Sequence, residues 1–231
     1  MVRKSSYGSI YPLVDIISEY KFEDNVLDTV GTNNGTATSI SYVTGLVNKA
    51  GRFTDTEVDL GSSVDFSMSN GTNDLPKSIS FLLKNYDTSN QYIISKNNNG
   101  WEWAINYFSG KLSFLLFGSS TSNRIRIDYT FSLTTNIWRH FVFTYDGSAN
   151  QSGLKLFIDG ALISTVASPT GTYTVGATNN SDLLLGQHGL APSTYSLNGD
   201  LDCVRFWDKE LSQAEITVIA TAELAGTDIN P

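Results

Sequence analysis

Charge is scarce in this chain. Asp, Glu, Lys and Arg make up 16% of its residues, against the roughly 25% of an average soluble protein, and their balance is negative, −8. Such a surface has no basic field to gather phosphate backbones, so nucleic acid is not an expected partner. Cysteine occurs once, as Cys203 inside an apolar run. That excludes an internal disulfide framework and a thiolate metal cluster, and leaves a small buried hydrophobe, with a reactive thiol as the alternative. The two histidines, His140 and His188, lie far apart with no H-E-x-x-H frame, and no G-x-S-x-G nucleophile elbow occurs. No apolar run approaches the ~20 residues of a membrane span, so membrane insertion is not expected. The opening MVRKSSYGSIYPLVDIISEY lacks a signal peptide's apolar core. If Met1 is the natural start, the protein is expected to be made in the cytoplasm and not to leave by the secretory route; a trimmed chain would remove that inference.

What is present is a β protein. Hydrophobic residues make up 40% and aromatics 12%, enough apolar surface for one sizeable core. Short runs alternate apolar and polar residues with period two, separated by clusters of Gly, Asn, Ser, Thr and Asp. They include SISFLLK (78–84), WEWAINY (101–107), KLSFLLF (111–117), RIRIDY (124–129), WRHFVFTY (138–145), LKLFIDG (154–160) and LDCVRFW (201–207). Several are apolar at nearly every position, which suits strands covered on both faces. Ser109-Gly110, Asp146-Gly147 and Asp159-Gly160 carry the residues that tight turns demand. One segment reads as helix: a capping box over Ser212 to Glu215, a run from Ile216 to Ala225, and a stop at Gly226.

The stretch WRHFVFTYDGSANQSGLKLFIDG, Trp138 to Gly160, resembles the central hairpin of laminin-G-like, concanavalin A-like jelly-roll domains. Leu183 to Gly186, Leu197 to Ile216 (LNGDLDCVRFWDKELSQAEI), Ala50 to Gly61 and Tyr20 to Thr36 resemble further strands of that family in the family's order. The resemblance covers most of the chain from about Ile17 to Leu224. Leu82 departs from it, standing where the family often has Trp, and either residue fills a sandwich core. The resemblance implies an all-β, two-sheet antiparallel jelly-roll sandwich with one short C-terminal helix. The expected organisation is an N-terminal arm, residues 1–15, and a single domain, residues 16–231.

Relatives on this fold include glycoside hydrolases, which need two flanking carboxylates. The E-x-D-x-x-E strand pattern of the laminarinase-like branch is absent: Glu57-Val58-Asp59 and Glu102 are its nearest pieces, and neither supplies the second Glu. The chain is therefore not expected to be an enzyme, and His140, at a position the family often fills with His, is read as structural. For a glycan, Trp101 and Trp103 would share one face of their strand, preceded by Asn97 to Asn99 and followed by Asn106 and Tyr107. The alternative places both tryptophans in the core. A second candidate is the loop from Gln187 to Ser196, with His188 and Tyr195. Asn99, Trp101, Trp103, Tyr107, His188 and Tyr195 are thus the candidate ligand residues. The resemblance also implies a structural calcium, held by Asp202 at the start of the closing strand with oxygen donors from Glu23, Asp24 and Asp28. The alternative is that Asp202 pairs with Arg205 or caps a turn.

Two functional classes follow, a carbohydrate-binding or adhesion module and a structural unit of a large assembly. Laminin-G-like domains without export signals occur among virion proteins of tailed bacteriophages. The reading adopted is a virion-associated, lectin-like protein attached through its hydroxyl-rich arm, with other virion or surface-assembly proteins and glycans as partners. Its alternative is a secreted or cell-surface bacterial adhesin, hence extracellular.

Overall fold

Strands that alternate apolar and polar residues must bury one face, and two such sheets do so against each other. The computed structural model describes residues 13–37, 39–132, 134–190 and 194–230. Along the chain run β1 (Ile16–Tyr20), β2 (Thr36–Ala37), β3 (Ser41–Thr44), β4 (Lys49–Thr54), β5 (Val58–Asp59), β6 (Lys77–Asn85), β7 (Gln91–Lys96) and β8 (Trp103–Phe108). There follow β9 (Lys111–Phe117), β10 (Arg124–Thr130), β11 (Trp138–Tyr145), β12 (Leu154–Ile158), β13 (Ala161–Leu162), β14 (Val166–Ala167), β15 (Leu183–Leu185), β16 (Asn198–Trp207) and helix α1 (Gln213–Leu224).

The first sheet has the order β13-β12-β11-β6-β16-β4-β3, with β1 pairing alongside β4 on the same edge of β16. The second has the order β14-β10-β9-β8-β7-β15-β5-β2. Neighbours in both sheets pair antiparallel. Hairpin register is set by the turns: Ser109 and Gly110 between β8 and β9, and Asp159 and Gly160 between β12 and β13, all have positive φ, the geometry whose twist matches flanking strands.

An aromatic seam joins the sheets. Phe114 on β9 meets Phe143 on β11 edge to face at 5.4 Å, Phe143 stacks with Phe81 on β6 at 6.1 Å, and Phe81 with Phe141 at 5.6 Å. Each of these rings is at most 1% exposed, and each contributes roughly 1.5–3 kcal/mol by leaving water. The inner faces of β8 to β10 add Trp103, Ile105, Leu116, Ile125 and Ile127 to the same cluster.

The outer face of the first sheet is covered as well. Helix α1 is opened by the Ser212 and Glu215 capping box and followed by Gly226 at φ +73°. It lays Ile216 and Ile219 over Val142, Phe157 and Trp207. That second cover explains why β11, β12 and β16 carry apolar residues outward as well as inward. Under the helix lies an ion cluster: fully buried Arg205 pairs with Glu19 of β1, Glu223 of α1 and, at 3.2 Å, Asp228. Lys21 reaches Asp228 at 2.7 Å. His140, also fully buried, places Nε2 3.4 Å from Glu223. Burial, helped by the Arg205 charge, pushes the imidazole down to about 3, so the ring is neutral.

Of the arm, residues 1–12 lie outside the described residues; Leu13 to Asp15 form a turn whose Asp15 carbonyl accepts from Asp208 N at 2.9 Å.

Cutting one anion from this buried cluster leaves Arg205 with Glu19 and Asp228, so the cost falls below the ~3–5 kcal/mol of a buried charge left alone, to about 1–3 kcal/mol for the lost charged partner. Glu223→Ala is therefore expected to lower the unfolding free energy read from urea melts by that amount at neutral pH. A shift under about 1 kcal/mol would mean that α1 is held by its apolar face alone.

Candidate functional site

Among the described residues no helix lies over the outer face of the second sheet. Register assigns its side chains: because Ile105 and Phe114 point inward, Ala104, Asn106, Leu115 and Phe117 point outward, and with Ile125 and Ile127 inward, Arg124 and Arg126 point outward. Tyr92 of β7 joins them, pinned by its backbone N–H to the Tyr195 carbonyl at 2.8 Å. Trp101, His188 and Tyr195 close around it from loops.

The rings form one cluster. His188 lies 4.4 Å from Tyr92 and 4.8 Å from Trp101, Trp101 lies 4.8 Å from Phe117, and Phe108 lies 5.2 Å from Tyr92 and 4.9 Å from Tyr195. Between Tyr92, Trp101, Phe108 and Phe117 opens a cleft of about 390 Å³, with Leu115 and Asn106 on its floor and Thr121, Arg124 and Arg126 at its side. That volume falls within the usual range of small-ligand sites. Burial raises the Tyr92 hydroxyl to about 12 and lowers the His188 imidazole, whose Nδ1 accepts from Leu190 N at 3.2 Å. Both rings are neutral at physiological pH. Asn106 is 6% exposed, yet its Oδ1 has no hydrogen-bond partner among the described residues. Among the described residues that line the cleft there is no Asp or Glu, the residue types that serve as acid and base in glycoside hydrolysis. A depression of about 430 Å³ on the other side of Tyr195 is lined mainly by short polar side chains.

The structure separates the candidate residues. Trp101, His188 and Tyr195 come together. Trp103 and Tyr107 do not join them: both point into the sandwich, where Trp103 donates Nε1–H to the Phe66 carbonyl at 2.7 Å and Tyr107 its hydroxyl to the Phe131 carbonyl at 3.0 Å. The expected shared face of Trp101 and Trp103 fails because β8 begins only at Trp103, after an irregular approach with Gly100 at φ +113°. Asn99 braces its loop, donating to the Asn179 carbonyl at 2.9 Å, away from the cleft. Glu102 is buried beside Lys96 at 3.5 Å and accepts from Ser67 Oγ and the Asn179 amide. Tyr92, Phe108, Phe117, Arg124 and Arg126 were missed. Their signal was available: RIRIDY puts both arginines on the face opposite its isoleucines, and KLSFLLF leaves Leu115 and Phe117 on the outward register.

The expected calcium donors do not fit a calcium site. Asp28 accepts from the backbone amides of Glu19, Val30, Gly31 and Asn33 at 2.8–3.1 Å. Asp24 is paired with the Lys49 ammonium, and Glu23 accepts from Lys49 N at 3.1 Å. Asp202 is fully buried on β16, accepting from Val47 N at 2.9 Å through Oδ2 while Oδ1 has no partner. Among the described residues no group of three or more His, Cys, Asp and Glu side chains is placed to hold a metal.

Comparison with known proteins follows the geometry. A family model, the concanavalin A-like lectin/glucanases superfamily, matches residues 54–217, more than half of the chain. The chain belongs to that superfamily. No curated protein sequence matches it. Among solved structures it is similar to domain 4 of an extracellular arabinanase from Geobacillus stearothermophilus in complex with arabinotriose, at 19% identity and TM-score 0.65, covering 89% of this chain and 98% of that one. It is also similar to the binding domain of Paraclostridial Mosquitocidal Protein 1 (18%, TM-score 0.68, 89% and 52%). The binding domain of botulinum neurotoxin serotype D/C is a third (17%, TM-score 0.70, 93% and 53%). The superfamily member described here thus spans about half the length of those toxin binding domains.

Burial, against the Val47 hydrogen bond, raises Asp202 to about 6. The folded state then holds this proton more tightly than the unfolded chain, so its contribution is present below about pH 4 and is lost as pH rises to about 6. His140 acts oppositely: its folded value is depressed, so its contribution is lost as pH falls below its unfolded value. Asp202→Asn is expected to leave the His140 slope unopposed, gaining about 1.4 kcal/mol on wild type for each pH unit between about 4 and 6. Denaturant melts across that window check it. Wild-type melts in millimolar calcium and in chelator are expected to coincide.

Proposed function

We propose that this protein is a non-catalytic, lectin-like module that takes a saccharide into the aromatic cleft on the outer face of its second sheet. The observation that carries this is the convergence of Tyr92, Trp101, Phe108 and Phe117 around Asn106. A pyranose presents an apolar C–H face and a rim of hydroxyls; the rings offer flat apolar surface to the first, and the amide of Asn106 on the cleft lining offers polar groups to the second. Most of the cleft lining, Tyr92, Asn106, Phe108, Leu115, Phe117, Arg124 and Arg126, stands on strands, which limits the ordering cost of binding. Membership in a lectin/glucanase superfamily supports the reading, as does the arabinotriose held by the similar arabinanase domain.

The finer reading is a virion surface component attached through the arm, residues 1–15, with a bacterial surface adhesin as its alternative. Neighbouring genes encoding capsid and tail parts would decide between the two.

The test is affinity electrophoresis and calorimetry against a panel of plant, algal and bacterial-surface glycans. Wild type is expected to be retarded by at least one, to release no reducing sugar from it, and to lose about tenfold or more in affinity as Trp101→Ala with an unchanged melting temperature. Equal binding by Trp101→Ala and wild type would place the site elsewhere.

A further inference from the structure

We infer that the cleft selects a saccharide bearing an anionic group, a carboxylate or a sulfate, and that Arg124 reads it. This rests on the saccharide reading of the cleft and adds the class of sugar. A chain of net charge −8 has placed two arginines and no carboxylate on the lining of this one cleft. The two are not equivalent. Arg126 already has its answer inside the protein: Nε donates to Asp128 Oδ1 at 2.5 Å and Nη2 to Ser113 Oγ at 3.0 Å. Arg124 has no carboxylate in ion-pair range among the described residues, and its Nε is buried with no hydrogen-bond partner.

Arg124 is also held in place. Its backbone donates to the Thr170 carbonyl at 2.8 Å and accepts from Thr170 N at 3.0 Å, and it sits opposite Phe117 in the β9 ladder. The guanidinium lies over the Phe117 ring, 6.0 Å from its centroid, a cation–π contact that orients the planar fork. The fork's parallel N–H donors match the oxygens of a carboxylate or sulfate in a way that a hydroxyl cannot. A guanidinium with no anionic partner inside the protein is free to take one from a ligand, and charge-assisted pairs of that kind are the stronger hydrogen bonds. Asn106, also on the cleft lining, would meet the sugar's neutral polar groups while Arg124 takes the charge.

The experiment is calorimetric titration of the full chain with three length-matched probes: oligogalacturonate, a sulfated carrageenan oligosaccharide and a neutral cello-oligosaccharide. At least one anionic probe is expected to bind about tenfold or more tighter than the neutral one. Arg124→Gln should abolish the preference, leaving the anionic and neutral probes with the same affinity for the variant, and Arg124→Lys should keep part of it. Neutral and anionic probes binding alike, or Arg124→Gln weakening both equally, would overturn the inference while leaving the saccharide cleft standing. If the wild type binds none of these probes nor any glycan of the wider panel, both readings fall.

Discussion

The contact of Phe114 with Phe143 across the sandwich, continued through Phe81 and Phe141, fixes which way every strand faces. A side chain in a strand cannot turn to the other face without a one-residue slip of the whole ladder, and such a slip would move each buried ring into water. Once Phe114 and Leu116 are inside, Leu115 and Phe117 are outside. Once Ile125 and Ile127 are inside, Arg124 and Arg126 must stand beside them on the open surface. The cleft is thus a consequence of the core: its walls are the odd-numbered half of an alternation whose even-numbered half is packed, or the reverse, strand by strand.

The two outer faces solve different problems. That of the first sheet is closed by α1, and closing it strands charges: Arg205, Glu19, Glu223 and the neutral His140 are all fully buried there. Such clusters add little net stability over an apolar core but penalise any arrangement that leaves a member unpaired, which fits α1 and the chain end to one position. Among the described residues no helix covers the outer face of the second sheet, and there a cleft between four aromatic rings keeps the Arg124 guanidinium without a carboxylate partner. Unpartnered groups beneath a sealed helix are cost alone; at an open cleft they are capacity for a ligand.

Several elements were legible in the sequence because they depend on near neighbours. The period-two runs gave the principal strands, Ser109-Gly110 and Asp159-Gly160 their turns, and Ser212 to Glu215 the start of the helix, since alternation, positive φ and capping are all properties of a few consecutive residues. The resemblance carried the order of the strands, and with it the two-sheet sandwich that the structure contains.

The site itself was only half legible. RIRIDY by itself determines that Arg124 and Arg126 share a face, and WEWAINY suggests the same of Trp101 and Trp103; the first holds because β10 is regular throughout, the second fails because the chain straightens into β8 only at Trp103. The meeting of His188 and Tyr195 with Tyr92, and the diversion of Asp28 into its own loop's amides, were beyond the sequence. They depend on contacts between segments far apart in the chain or on the path of a loop, and these are set when two sheets close on one another. The sequence alone determined what each strand offers to its two faces. Only the tertiary structure decided which face is sealed and which is left open to a ligand, because that depends on where α1 comes to rest.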